Sequence, residues 1–246
     1  NDAVGSNNFG ANAAAIDQTT DTCTNNFTTM NPVATSSKIN LTNGNLTVTG
    51  SAADDSGNSF STFLPNQGKW YAEFKVTAIS GNSAPMIGIR QEYPGGFQLV
   101  NGGAGAGGSA SSYEASIRRD GQRFENNSTG SYGVSYTTGD IISIAIDCDN
   151  GAAYIAKNNQ YMTSGNPESG NSKTGAFSEW TAAQVDSGGQ AFAVNQYNGA
   201  SCEVNFGNPT FTGTDKTDAN DRGSFEYAPP SGYLSLCTAN LSEVLS

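Results

Sequence analysis

From residue 36 onward, apolar residues recur at every second position in short runs, and turn-forming residues cut each run from the next. GKWYAEFKV (68–76) is the clearest run. Trp70, Ala72, Phe74 and Val76 fall on one face of an extended chain, and Tyr71, Glu73 and Lys75 fall on the other. A period of two does not fit a helix, whose apolar stripe repeats every 3.6 residues. No 11-residue window of the chain sustains that helical period. Many short strands with turn signals between them predict an all-β fold, a two-layer antiparallel β-sandwich.

The turns assign the strands to pairs. KINLTNGNLTVTG (38–50) places Asn43-Gly44 between alternating apolar residues, a strong hairpin signal. YEASIRRDGQRFE (113–125) reads as two strands around Asp120-Gly121, and PMIGIR (85–90) as one short strand. QAFAVNQY (190–197) and ASCEVNFG (200–207) read as a further pair around Asn198-Gly199. IDCDNGAAYIAKNNQ (146–160) admits two readings, a calcium loop beginning at Asp147 or a hairpin. A calcium loop of the helix–loop–helix kind needs helical flanks and a bidentate Glu at its twelfth position, which here is Asn158. The hairpin reading makes Asn150-Gly151 a two-residue type I′ turn, with Asp149 facing Ala152, Cys148 facing Ala153 and Ile146 facing Ile155. Asp147 and Asp149 then become turn and edge residues, and Asn158-Asn159 continues the meander. Residues 1–35 are polar without a sustained period and predict an extended N-terminal arm packing on a sandwich of residues 36–246. PGGFQLVNGGAGAGGSASS (94–112) is too rich in Gly to be a core element.

Composition then narrows the function. The 246 residues hold 12 Phe, 10 Tyr and 2 Trp, enough apolar area for a core in one large domain. A net charge of −11 repels a phosphate backbone, so no nucleic-acid partner is expected. The longest strongly apolar run, IISIAI (141–146), is far too short to span a bilayer, so no membrane insertion is expected. ANAAAI near the start lacks the basic flank of a signal peptide. The chain begins without Met, which suggests a processed chain or a piece of a longer polypeptide. Cys23, Cys148, Cys202 and Cys237 have no metal-knuckle spacing, and there is no His to help them. Four cysteines permit two disulfides in three pairings, but a chain of this size does not need staples, and free thiols are the favoured reading.

GKWYAEFKV is followed by MIGI, then YGVSYTTGDIISIAIDCDNGAAYIAKNNQ, then AFAVNQYNGASCEVNFG and FEYAPPSGYLSLCTANL. That order of motifs resembles a SPRY domain. Gly139, Asp140, Ile141, Asp149, Asn150, Gly151, Asn205, Phe206 and Gly207 stand at the places of the family's strand and hairpin motifs. The resemblance spans about residues 45–240 and implies a concanavalin A-like jelly roll. Ser143 departs from a glycine that many members carry, and the Gly-rich loop departs in composition. The flanking TNNFTTMNP (24–32) and PPSGYLSLCTANL (229–241) look like the versions carried by structural proteins of tailed bacteriophages and marine viruses. That likeness implies a module of a virion tail or fibre, assembled in the host cytoplasm and contacting a host-surface glycan or protein. A purely architectural domain packed on neighbouring virion subunits, in a homo-oligomeric assembly, is the alternative.

Enzymatic readings are weaker. Without His, Ser-His-Asp and Cys-His machinery is absent in its usual form. Glycan hydrolases on this kind of sandwich need two carboxylates flanking the sugar bond, and none of the nine Glu shows the Glu-x-Asp-x-x-Glu spacing. Glu73 reads as a surface strand residue. No cofactor and no metal is expected. The one acidic cluster that could hold an ion is Asp215, Asp218 and Asp221, and it reads as a solvated loop. Aromatic and arginine side chains in loops are the usual material of a contact surface. The candidates are Tyr93, Phe97, Tyr113, Arg118, Arg123, Tyr132, Tyr161 and Trp180, on a rim formed by loops 91–112, 119–133 and 161–181.

Overall fold

The computed structural model describes residues 25–51, 56–81, 84–91, 114–125, 128–181, 189–211 and 213–244. The fold is a two-sheet, almost entirely antiparallel sandwich. One sheet has seven strands. In chain order they are β1 (Met30–Thr35), β4 (Ser56–Ser61), β6 (Met86–Gln91), β7 (Glu114–Ile117), β8 (Gln122–Glu125), β9 (Ser128–Ser131) and β14 (Gln190–Tyr197). Across the sheet the order is β1-β4-β14-β6-β7-β8-β9. The other sheet contains β2 (Ile39–Thr42), β3 (Thr47–Gly50), β5 (Lys69–Ala78), β10 (Ile141–Asp147), β11 (Ala152–Lys157), β12 (Gln160–Tyr161) and β15 (Ser201–Asn205). Its order is β12-β11-β10-β5-β15-β3-β2, with β13 (Ser178–Glu179) added on β11 and β16 (Leu234–Ser235) added parallel on β5. A short helix, α1 (Thr238–Val244), follows β16. The all-β, two-layer antiparallel sandwich expected from the alternation is the architecture observed.

The period-two pattern builds the core as expected. Trp70, Ala72, Phe74 and Val76 all point between the sheets, where they meet Ile142, Ile144 and Ile146 of β10 and Phe192 and Val194 of β14. Phe74, Phe192 and Phe206 form the centre, with ring centroids 5.6 to 6.4 Å apart. Each fully buried Phe or Ile contributes about 1.5–3 kcal/mol relative to exposure.

The other face of β5 corrects an expectation. Glu73 is no surface residue; it is 0% exposed. The chain returns after β15 and covers the outside of the nine-stranded sheet, burying Tyr71, Ala145, Tyr154, Phe225 and Tyr233 in a second cluster. Glu73 fixes that return. Its carboxylate accepts the backbone N–H groups of Glu226 (2.9 Å) and Tyr227 (2.8 Å), the Asn205 amide (3.1 Å) and the Tyr71 hydroxyl (3.2 Å). Burial pushes its pKa above the ordinary value, and those hydrogen bonds pull the other way.

Two turn assignments are also corrected. At the hairpin of β10 and β11, Asp147 faces Ala152, Ile146 faces Ala153 and Ile144 faces Ile155. The loop is the four residues Cys148–Gly151, not the two-residue turn expected. Asp147 drives the change, accepting the Asn150 N–H (3.0 Å) and the Asn150 side-chain amide (2.8 Å). Asp149 is drawn away to accept the Gly68 N–H at 2.7 Å. The slip spans two residues, so every side chain keeps its face. At Asn198-Gly199, β14 and β15 do not pair, because they belong to different sheets. β14 already has β4 and β6 on its two edges, so no edge is left for a hairpin partner. The turn is formed, with positive φ at both residues, but it carries the chain across the sandwich. The remaining pairs follow expectation: β2 with β3, β7 with β8, and β11 with β12 around Asn158-Asn159.

Candidate functional site

Both sheets end on the same lateral side, the seven-stranded one at β9 and the nine-stranded one at β12. The chain crosses from one layer to the other there, through residues 132–140 into β10. A cleft of about 530 Å³ lies between the crossing and the β11–β12 turn. Tyr132, Gly133 and Val134 form one wall, and Lys157, Asn158, Gln160, Tyr161, Met162 and Thr163 form the other. That volume lies in the range of small-molecule and short-segment sites.

Each wall is held from behind. The Tyr132 ring packs edge-on against Phe177 at 5.0 Å, and its hydroxyl donates to the Gly175 carbonyl at 2.9 Å. Thr163 donates its hydroxyl to the Tyr132 carbonyl, tying the two walls together. Gly133 allows the close approach, since a Cβ there would sit 2.1 Å from the Met162 sulfur. On the opposite wall, Asn158 and Asn159 adopt φ of 47° and 66°, the left-handed backbone a type I′ turn requires. The Asn158 side chain accepts the Ile141 N–H at 2.9 Å and donates to Asp140 at 2.8 Å. Lys157 donates to the Ser135 carbonyl at 2.9 Å and pairs with Asp140 at 3.0 Å. Partial burial would raise the Asp140 carboxyl, but hydrogen bonds from the Thr137 amide, Asn158 and Lys157 hold it below its ordinary value.

What the cleft offers is mainly apolar. Val134, 59% exposed, stands in this lining with its side chain open to solvent. Tyr132, Tyr161 and Met162 complete the apolar lining. Burial raises both tyrosine hydroxyls well above their ordinary pKa, so they stay neutral. Cations at and beside the cleft are matched: Lys157 by Asp140, Arg123 by Glu125 at 3.2 Å, and Arg118 by Asp120 at 3.1 Å. Gln160 is exposed at the mouth with its amide uncommitted among the described residues.

The candidates from sequence divide into three groups. Tyr132, Tyr161 and Arg123 come together here. Arg123 stands behind the wall, its guanidinium 5.8 Å from the Tyr132 ring centroid and donating to the Phe177 carbonyl at 2.8 Å. Arg118 lies at the β7–β8 turn, outside the cleft lining. Trp180 is no contact residue; it is 3% exposed. β13 adds to the edge of β11, the backbone N–H of Trp180 donates to the Gly151 carbonyl at 2.9 Å, and the Trp180 ring enters the core. Tyr93, Phe97, Tyr113 and most of the 91–112 segment lie outside the described residues. Val134, Gln160 and Met162 were not anticipated. Val134 carried the one available signal, an isolated large apolar residue in a stretch without period.

The acidic loop differs from expectation at its centre. Asp218 is buried, not solvated. Its oxygens accept the N–H groups of Asn220 (2.8 Å), Arg222 (2.9 Å) and Ser235 (2.8 Å), the Ser235 hydroxyl (2.6 Å) and the Asn240 amide (2.8 Å). Asp215 accepts the Ser224 hydroxyl at 2.8 Å, and Asp221 is exposed. Among the described residues no group of three His, Cys, Asp or Glu is placed to hold a metal ion. Cys148, Cys202 and Cys237 are buried free thiols, and Cys23 lies outside the described residues.

Comparison with protein-family models gave no match, and comparison with curated proteins gave none. Among solved structures, the SPRY domain of human HERC1 is similar, with a TM-score of 0.48 and 15% sequence identity. The similarity covers 74% of this chain and 99% of that one.

Proposed function

We propose that this chain is a non-catalytic contact module of a viral particle, part of a tail or fibre, that recognises a host-surface glycan or protein through the lateral cleft. The observation that supports it most is the cleft itself. A rigid two-sheet scaffold holds Tyr132, Tyr161 and Met162 in place and leaves Val134 in solvent at the mouth. Recognition on loops carried by a rigid sandwich is a common arrangement. The viral setting rests on the likeness of the flanking segments to phage and marine viral structural proteins. The arrangement of Glu73, whose carboxylate is buried and bonded to four donors, favours a structural role for it over acid–base work.

The test is a pair of screens, a glycan array and a displayed peptide library, run with the native protein and with Val134→Arg. The module reading expects binders that the variant loses at least tenfold. Binders that Val134→Arg retains would remove the cleft as the contact surface. An absence of binders from both screens would favour the architectural alternative, a domain packed on neighbouring virion subunits.

A further inference from the structure

We infer that the partner at this side is an extended, uncharged polypeptide segment, which adds to the edge of β9, unpaired among the described residues, as an eighth strand and places apolar side chains in the cleft. This rests on the contact-module reading and selects protein over glycan.

Three observations carry it. First, β9 is the last strand of its sheet, and all four of its residues, Ser128, Thr129, Gly130 and Ser131, are exposed. An open edge is a template for another strand, and proteins usually blunt it with charge or proline. β9 has neither. Second, the cleft begins at the residue after β9 and lies between the ends of the two layers. A strand bonded to β9 would extend the seven-stranded sheet by one. Every second side chain on it would then point into the gap between the layers. On this side of the molecule that gap is the cleft, lined by Tyr132, Val134, Tyr161 and Met162. Third, the one ionic side chain in the cleft lining, Lys157, is already paired with Asp140 at 3.0 Å. Among the described residues, the lining itself offers no unpaired charge to a ligand. Main-chain hydrogen bonds would supply attachment and the cleft would supply selection, the division of labour of strand addition generally. A strand pairing along β9 spans about four residues, so two of its side chains face inward.

The test uses a displayed library of uncharged eight-residue peptides with Val, Leu, Phe or Tyr at alternate positions. Selected peptides are resynthesised with N-methyl groups on the odd or on the even amide nitrogens. Strand addition uses the N–H groups of one edge only, so one methylated set should bind at least tenfold more weakly and the other within about threefold. Val134→Arg should weaken binding at least tenfold. Peptides indifferent to both methylated sets would overturn strand addition while leaving the module reading in place. A glycan that binds in a Val134-dependent way, with no peptide selected, would do the same. Binding indifferent to Val134→Arg would overturn both. A doubling of mass in sedimentation that Val134→Arg abolishes would assign the edge to a second copy of this chain and overturn the inference.

Discussion

Glu73 shows how much one side chain can decide. It sits on the face of β5 opposite the core, yet four donors from three parts of the chain converge on it. Glu73→Ala removes the acceptor of two backbone amides and of one of the two Asn205 amide bonds, and should cost at least about 1–3 kcal/mol by urea denaturation. Its pH dependence has a definite sign. The folded pKa lies above the unfolded value, so the folded state holds this proton more tightly. The group's contribution is fully present below the unfolded pKa, about 4.3, and is lost as pH rises through the raised folded pKa. Glu73→Gln removes that titration. The stability of the Gln variant relative to the native protein should therefore rise between pH 4 and pH 7, read from denaturation midpoints across that range. Gly151 is a second decisive residue. Its φ is +67°, and a Cβ there would lie 2.2 Å from the Trp180 carbonyl oxygen. Gly151→Ala should destabilise by about 1–3 kcal/mol, through both strain and overpacking.

At the scale of elements, alternation located the strands well, and turn pairs located the bends. Neither could say which sheet a strand joins. Asn198-Gly199 reads as a hairpin in one dimension; only the full occupancy of both β14 edges sends β15 to the other layer. The β10–β11 register was hidden for a local reason, the competition of the Asp147 side chain for the turn amides. The covering of the outer face was illegible too, because Tyr71-Ala-Glu-Phe-Lys alternates in the same way whether its second face meets water or another segment. α1 lay below the length at which a helical period can be recognised, with seven residues. Asp218 links that helix to the return segment through Ser235 and Asn240. Asp218→Ala leaves buried donors unpaired and should cost at least about 1–3 kcal/mol, with amide exchange over residues 235–241 accelerating before the sheets open. Chelator should leave the native Tm unchanged, since protein donors satisfy that carboxylate.

At the scale of the molecule, the sandwich gives two broad faces and two lateral sides. The nine-stranded face is covered by the return segment, which leaves the sides as places where backbone edges reach solvent. The candidate site was half legible. Tyr132, Tyr161 and Arg123 stood out as aromatic and basic residues in loops, but only the fold brings them to one side. Trp180 was misleading because large aromatics serve cores and contacts alike. Val134 is exposed, so Val134→Arg should shift stability by no more than about 0.5 kcal/mol while reducing binding at least tenfold. The measurement that tests the account most directly is an amide-exchange footprint of the protein with a partner recovered from the paired screens. The account predicts slowed exchange at Ser128–Val134 and Gln160–Thr163, with the rest of the described backbone unchanged. Slowed exchange confined to the opposite side, at β1 and β2, would contradict it.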